Sequence, residues 1–305
     1  MTTEWEGKSR GTVLGYRIFI FFIRKLGIRA AYTLLYFVAL YFCFFAGKST
    51  KAIYYYFNQR LYYSKLKSTF HIFKSYFKFG QTIIDKAAIS SGLKDKFTYE
   101  FDGVENITKL LDEGKGGVLI SAHVGNFETA EFFFEDIDSR SQINLVTTDA
   151  EHQNIKEYLE SVTNKSKIKF ILIQDDLSHI FEINGALNKG ELVCFTGDRF
   201  FEGTKYLSEE LLGKTAKFPA GPFLLASRLK VPVVFVYVMK ETTKHYHLYA
   251  RTAEVKHRDA QDLLKKYTQS VEWILSKYPL QWFNYFDFWG VKKNKDKRTG
   301  NREKL

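Results

Sequence analysis

The sequence contains very little cysteine. Its 305 residues include only two, Cys43 and Cys194. Cys43 lies in an apolar stretch and Cys194 in a predicted core strand, so neither indicates a disulfide framework or a cysteine metal site. This cysteine usage fits a catalytic domain on the reducing, cytoplasmic side of a membrane.

The sequence also lacks internal repeats and the signatures of nucleic-acid-binding proteins. Its 45 Lys and Arg against 34 Asp and Glu give a formal net charge of +11, which suits nucleic acid, anionic membrane, an acidic carrier protein or phosphorylated substrates. No RNP-like motif, zinc-finger spacing or helix-turn-helix is present, whereas aromatic residues reach 17%. Because Tyr and Trp favour the membrane–water interface, we predict a membrane partner and no nucleic-acid partner.

A hydrophobic segment near the N-terminus predicts a membrane helix. Residues 30–47 carry no charge, and as a helix they would be about 27 Å long, just enough to cross a bilayer. A helix lying in the interface and a buried core helix are the alternatives. From residue 51 to 92, apolar and basic residues interleave at helical spacing, which predicts an amphipathic helix on the domain or in the lipid headgroups.

From about Phe97, short apolar runs alternate with helical patterns. The runs predicted as strands are 117–122, 143–147, 168–173, 192–195, 231–238 and 245–251. The predicted helices are 127–134, 154–162, 177–187, 223–229 and 261–276. This alternation predicts an α/β fold: a mixed, largely parallel sheet flanked by helices, behind an N-terminal hydrophobic helix. We therefore expect a membrane anchor (1–50), a catalytic domain (51–290) and a disordered basic tail (291–305).

A histidine follows the first clear apolar strand of this domain. Functional residues of open α/β sheets gather beyond the carboxyl ends of strands, and the strand ending at Ala122 leads directly into His123. Gly125 permits a tight turn that can return the Glu128 carboxylate to the imidazole. A carboxylate on one ring nitrogen fixes the tautomer and leaves the other nitrogen as a general base. The alternative is a structural histidine, with Glu128 as a favourable charge at a helix N-terminus.

The segment GGVLISAHVGNFETAEFF resembles the His-x4-Asp/Glu block of the glycerolipid acyltransferase superfamily, and in detail that of the lauroyl/myristoyl lipid A acyltransferases. Further blocks resemble that family in order and spacing, at residues 196–203, 218–226, 230–234 and 278–283. The resemblance implies His123 as general base and Glu128 as the residue that orients it. It also implies an acyl carrier protein thioester as donor, a lipid A precursor as acceptor, and an inner (cytoplasmic) membrane location with the catalytic domain facing the cytoplasm.

Two stretches depart from the family pattern. The block after the fourth predicted strand reads Gly197-Asp198-Arg199 where the family has Asp-Gln-Asp, and an arginine common after the second strand is missing. Arg199 can bind a phosphate or carboxylate bidentately or pair with a neighbouring acid. Gly221 can present helix N–H groups to an oxyanion or simply start a helix. We predict four substrate-binding residues, namely Asn126, Asp198, Arg199 and Gly221.

Two further observations leave alternatives open. His245 and His247 alternate on a predicted strand as two metal ligands would, but the sequence shows no third ligand, so we predict neither a metal nor an organic cofactor. The departures allow a different acceptor for the same chemistry, such as a lysophospholipid, an aminolipid or a polyene lipid. A non-catalytic membrane adaptor is an alternative of another class, and it predicts that His123→Ala changes nothing beyond stability.

Overall fold

The computed structural model describes most of the chain between residues 21 and 290. The described residues are 18, 21–130 apart from Arg24, 132, 142–147, and 168–290 apart from Asp175, Phe201 and Glu202. For Glu128 only the backbone is described. The predicted helix at 154–162 and the tail at 291–305 lie outside the described residues, as do residues 131, 133 and 134 of the predicted helix at 127–134.

A seven-stranded sheet lies at the centre of the structure. The strands are β1 (Thr98–Asp102), β2 (Gly117–Ser121), β3 (Ile143–Thr147), β4 (Lys169–Leu172), β5 (Leu192–Thr196), β6 (Tyr206–Leu211), β7 (Lys214–Pro219), β8 (Val233–Lys240) and β9 (His245–Ala253). The order in the main sheet is β1-β9-β8-β2-β5-β3-β4, and β6 pairs with β7 in a separate antiparallel hairpin. Among the described strands of the main sheet, β8 and β9 form an antiparallel pair and the other neighbouring pairs are parallel. The predicted mixed, largely parallel sheet is confirmed.

The burial of each strand explains whether it could be predicted from the sequence. Every residue of β2 is buried, because neighbouring strands and helices cover both of its faces, and such a strand reads as a continuous apolar run. The hairpin strand β6 has alternating burial and contains Ser208, Glu209 and Glu210. It therefore shows no apolar run, and neither β6 nor β7 was predicted.

Helices pack on both faces of the sheet. They are α1 (Ile28–Phe45), α2 (Gly47–Tyr55), α3 (Lys65–Ala88), α4 (Glu105–Asp112), α5 (Ser178–Asn188), α6 (Ala220–Arg228) and α7 (Ala260–Lys277). Alternate strand residues face opposite sides, so Leu119 packs in one apolar cluster with α4, and Ile120 in another with α5, α6 and α7. The predicted helices at 177–187, 223–229 and 261–276 are confirmed to within three residues at each end.

Helix α1 confirms the predicted N-terminal apolar helix. It has 18 residues and is long and apolar enough to cross a membrane, with 28% of its length buried in the protein. One side packs against α3 through Ala31, Leu35 and Ala39. The other side carries exposed aromatic residues, namely Tyr36, Phe37, Tyr41, Phe44 and Phe45. Such a surface suits contact with lipid, and a spanning orientation stays a prediction.

A buried ion pair joins these N-terminal helices to the sheet. Asp85 of α3 and Lys240 at the end of β8 are both buried, with 2.5 Å between Oδ2 and Nζ. Asp85 also accepts hydrogen bonds from the hydroxyls of Tyr32 on α1 and Tyr246 on β9. Burial raises the pKa of Asp85 and lowers the pKa of Lys240, while their mutual attraction opposes both shifts. Each charge is stable in the interior because the other is present.

Lys240→Met is expected to lower the free energy of unfolding by about 3–5 kcal/mol, because it leaves Asp85 buried without its cation. Adding Asp85→Asn should restore a large part of the loss, since no buried charge then remains. Denaturant unfolding followed by tryptophan fluorescence measures both effects. The control is Lys115→Met, which breaks the exposed Lys115–Glu113 pair and should cost less than about 1 kcal/mol. Similar losses for both single variants would contradict the structural role of the buried pair.

Candidate active site

His123 lies in the turn that follows β2. The two residues after His123 form isolated backbone pairs with different segments. Val124 pairs with Trp282, and Gly125 pairs with Val238 of β8. Gly125 has a φ of +66°, and a Cβ added there would lie 2.1 Å from the carbonyl oxygen of Val238. Only glycine fits such a position. The tight turn predicted at Gly125 is therefore confirmed, and it fixes the path of the chain beside His123.

Among the described side chains, Asp198 supplies a carboxylate that contacts His123. It follows β5, which is the neighbour of β2 in the sheet. Its Oδ1 lies 2.7 Å from His123 Nδ1, and its Oδ2 accepts a hydrogen bond from the His123 backbone N–H at 2.8 Å. The amide of Asn284 donates to the same Oδ2 at 2.7 Å. The carboxylate is 1% exposed and the imidazole 25% exposed, so the ring is held from the interior while part of it stays accessible.

The surroundings of Asp198 keep it ionised. Burial alone would raise the pKa of its carboxyl, but the charge and hydrogen bond of His123, the Arg199 guanidinium and the Asn284 amide lower the pKa to about 2. Burial lowers the pKa of Arg199 to about 10, so this side chain is still protonated at neutral pH. An ionised Asp198 holds the proton of a neutral imidazole on Nδ1 and stabilises an imidazolium, which directs proton transfer to Nε2.

Arg199 supports the chain segment that lies over His123. Its Nε donates to Asn284 Oδ1 at 2.7 Å, and its Nη2 donates to the carbonyl of Phe283 at 3.0 Å. The backbone N–H of Phe283 in turn donates to the carbonyl of His123 at 3.0 Å. Arg199 thus holds residues 278–289, hereafter the C-terminal segment, against the His123 turn. Its predicted contact with a substrate anion stays a prediction.

The other two predicted substrate-binding residues lie in different settings. The buried amide of Asn126 donates to the carbonyl of Thr82 at 3.0 Å and contacts the hydroxyl of Tyr246 at 3.4 Å, so it links the His123 turn to α3 and β9. Gly221 is the second residue of α6, and a Cβ added there would meet nothing within 4 Å. Space therefore does not require glycine at this position. Substrate binding by Asn126 and Gly221 stays a prediction.

The side chain of Glu128 lies outside the described residues. Its backbone belongs to a short 3-10 turn, Phe127–Thr129, just beyond His123. The orienting role of Glu128 stays a prediction. The sequence interpretation missed Asp198 as the partner of Nδ1, because the two residues are 75 positions apart and only the strand order brings them together. The same reason hid Asn284, whose amide joins Asp198 to Arg199.

An apolar cavity lies near the His123 turn, and the described residues that line it include Phe127 but not His123. The ring of Phe127 forms part of its wall and stands edge-on to the imidazole, with ring centroids 6.5 Å apart. The enclosed space of the cavity measures about 40 Å³. The other described lining residues are Phe101, Ile107, Leu119, Ala130, Ile143, Leu145, Ile168, Cys194, Val236, Tyr237, Val238, Leu248, Tyr249 and Ala250. The described lining of this cavity is almost entirely apolar.

An oriented histidine at the carboxyl edge of a parallel sheet, near an apolar cavity, is typical of an enzyme that moves protons on a substrate with an apolar part. The family model of the bacterial lipid A biosynthesis acyltransferases matches residues 8–289. The chain therefore belongs to the bacterial lipid A biosynthesis acyltransferase family, and it is an acyltransferase. The family resemblance predicted from the His123 block is confirmed. A search of curated proteins found no significant match.

The free energy of unfolding is expected to fall by about 2 kcal/mol through loss of the Asp198 charge as the pH drops from about 4 to 2. The folded pKa of about 2 lies below the unfolded value of 3.8, so the ionised carboxylate stabilises the fold above pH 4 and is progressively protonated below it. Other acidic groups also titrate in this window, so the measured quantity is the difference between wild type and Asp198→Asn. Identical pH dependence of the two proteins would contradict the ionised, hydrogen-bonded Asp198.

Proposed function

We propose that this acyltransferase moves a fatty acyl chain from an acyl carrier protein thioester to a hydroxyl of a lipid A precursor, with His123 as the general base. The hydrogen bond between His123 Nδ1 and the buried, ionised Asp198 is the observation that carries the proposal. It supplies the partner that a histidine needs in order to take a proton from a hydroxyl.

In the proposed reaction, His123 Nε2 removes the proton from the acceptor hydroxyl as its oxygen attacks the thioester carbonyl carbon. The C–S bond then breaks, and the leaving thiolate of the carrier protein takes the proton from the imidazolium. Asp198 stabilises the positive charge on His123 between the two proton transfers. The products are an ester and a free thiol, and His123 returns to its starting state.

The apolar cavity supports an acyl chain as the transferred group. Burying hydrocarbon contributes about 0.8 kcal/mol per CH₂, and the cavity wall at Phe127 is in contact range of the His123 ring. The formal net charge of +11 supports an acidic carrier protein as donor, because a basic surface speeds encounter with an acidic partner.

The block at Arg199 departs from the family pattern, and the contacts of this arginine within the protein explain its presence without a different acceptor. Two of its guanidinium nitrogens bond to Asn284 and to the carbonyl of Phe283. Arg199 thus holds the C-terminal segment in place, and its presence does not by itself indicate another acceptor. We therefore propose a lipid A precursor, as the family name suggests, and other acceptor lipids are tested beside it.

We propose that the protein resides at the inner membrane with its catalytic domain facing the cytoplasm. The exposed aromatic side of α1 supports contact with lipid. A thioester on a carrier protein is also a substrate of the cytoplasmic side. The residues that contact α3 hold α1 close to the catalytic domain, so lipid substrate and active site would lie near the same surface.

Detergent-solubilised full-length protein is expected to transfer label from an acyl carrier protein thioester to a lipid A precursor, and His123→Ala is expected to lose at least about 10³-fold in rate. The acceptors are offered separately: lipid A precursor, lysophospholipid and an aminolipid. The matched control is His257→Ala, since His257 is exposed in a turn after β9 and should transfer at the wild-type rate. Wild-type activity in His123→Ala would refute the general-base role. Label on a different lipid, or transfer only from acyl-CoA, would refute the proposed acceptor or donor.

Glu128→Gln and Asp198→Asn separate the two carboxylates assigned to His123. Each is expected to lower kcat by about 10²-fold or more with little change in KM, because an orienting carboxylate acts mainly in the transition state. Steady-state kinetics with the labelled thioester measures both parameters, and the melting temperature of each variant checks its folding. A Glu128→Gln variant with wild-type kcat would show that Asp198 alone orients the imidazole.

A further inference from the structure

Two imidazoles and two carboxylates meet at one edge of the main sheet. Glu100 lies on β1, His245 and His247 lie on β9, and Glu241 comes directly after β8. Glu100 pairs in register with His247, and the backbone N–H of Glu241 donates to the carbonyl of His245 at 3.0 Å. The backbone pairing of three neighbouring segments therefore brings the four side chains together.

The facing atoms are close enough to share one ion. One ligand atom each from Glu100, Glu241 and His245 lies within 4.8 Å of the others. His245 Nε2 is 4.0 Å from a carboxylate oxygen of each glutamate. His247 Nδ1 is 2.8 Å from Glu100 Oε1 and 3.2 Å from Glu241 Oε1. Ligands at about 2.0–2.2 Å from a tetrahedral Zn²⁺ are about 3.3 Å apart, so small side-chain movements suffice.

The candidate ligands are oriented by neighbours outside the cluster. His245 Nδ1 lies 2.8 Å from the hydroxyl of Thr98, which leaves Nε2 as the nitrogen that faces the carboxylates. The hydroxyl of Tyr278 donates to Glu241 Oε1 at 2.5 Å. The ring of Tyr249 stacks on His247 with 4.1 Å between centroids. Metal-binding histidines and carboxylates are held by such outer contacts, whereas freely moving surface side chains are not.

We propose that Glu100, Glu241 and His245 bind one divalent transition-metal ion, for which Zn²⁺ is the best fit, and that His247 supports the two carboxylates from beside the ion. Imidazole and carboxylate together suit Zn²⁺, while Mg²⁺ and Ca²⁺ prefer oxygen ligands. Two carboxylates also balance the charge of the ion. The site does not depend on the proposed acyl transfer, because none of its ligands contacts His123 or Asp198 among the described residues. A bound ion would join β1, β9 and the Glu241 turn at the sheet edge.

The competing explanation is an ion-pair network without metal, in which protonated histidines pair with the glutamates. Both explanations account for the distances, but they differ in Zn²⁺ binding. A metal site binds one Zn²⁺ per chain and loses affinity when any ligand is removed. An ion-pair network has no such stoichiometric binding.

The test uses full-length protein in detergent, purified without a polyhistidine tag and treated with EDTA. Calorimetric titration with ZnCl₂ is expected to give one site per chain, and Co²⁺ is expected to give the visible absorption of a low-coordinate site. Glu241→Gln/His245→Gln should weaken Zn²⁺ binding by at least about 100-fold. The matched control, Glu254→Gln/His257→Gln, changes the same residue types beyond the other end of β9 and should bind like wild type.

Thr98→Val provides a second test that keeps all the proposed ligands. It removes only the hydroxyl on His245 Nδ1 and should weaken Zn²⁺ binding by about 10-fold. The melting temperature of every variant is measured without metal, and Thr98→Val decides the question if the double variant does not fold. Absence of saturable Zn²⁺ binding by wild type would overturn the proposal. So would wild-type affinity in both Thr98→Val and a folded Glu241→Gln/His245→Gln.

Discussion

The arrangement of the active site depends on one buried charge, the carboxylate of Asp198. It accepts hydrogen bonds from the backbone and ring of His123 and from the Asn284 amide. An ionised carboxylate without such donors costs several kcal/mol in a protein interior. The strand order that brings β5 beside β2, the turn at Gly125 and the path of the C-terminal segment are therefore linked, because all three supply or position these donors.

The C-terminal segment connects the His123 turn to the N-terminal helices. The side-chain amide of Gln281 accepts a hydrogen bond from the backbone N–H of Lys240 at 3.0 Å and donates one to the backbone carbonyl of Lys240 at 2.9 Å. The backbone carbonyl of Gln281 accepts a hydrogen bond from the backbone N–H of Gly125. Lys240 is in turn paired with Asp85 of α3. A chain of direct contacts thus runs from the His123 turn to the N-terminal helices. The position of the imidazole is set by parts of the chain that lie far apart in sequence.

Local sequence patterns predicted the fold class and six of the seven strands of the main sheet within a few residues, but not the hairpin strands β6 and β7, nor the contacts between distant residues. Strand β3 was predicted with the bounds that the structure has, since an apolar run bounded by polar residues is a local signal. His123 was found because it follows such a run. Asp198 was recognised as functional but assigned to substrate, because no local pattern says that β5 lies beside β2. The amide of Asn284 carries no signal of its own, and Glu100 and Glu241 approach the two histidines only through strand pairing.

The contact of Tyr32 with the buried ion pair has a consequence for the order of events during synthesis. Tyr32 meets the Lys240 ammonium at 3.2 Å across 208 residues of sequence. At a synthesis rate of about 5–20 residues per second, Lys240 leaves the ribosome roughly 10–40 s after Tyr32. Helix α1 is therefore synthesised well before Lys240, and the contact between Tyr32 and the Lys240 ammonium can form only late in synthesis.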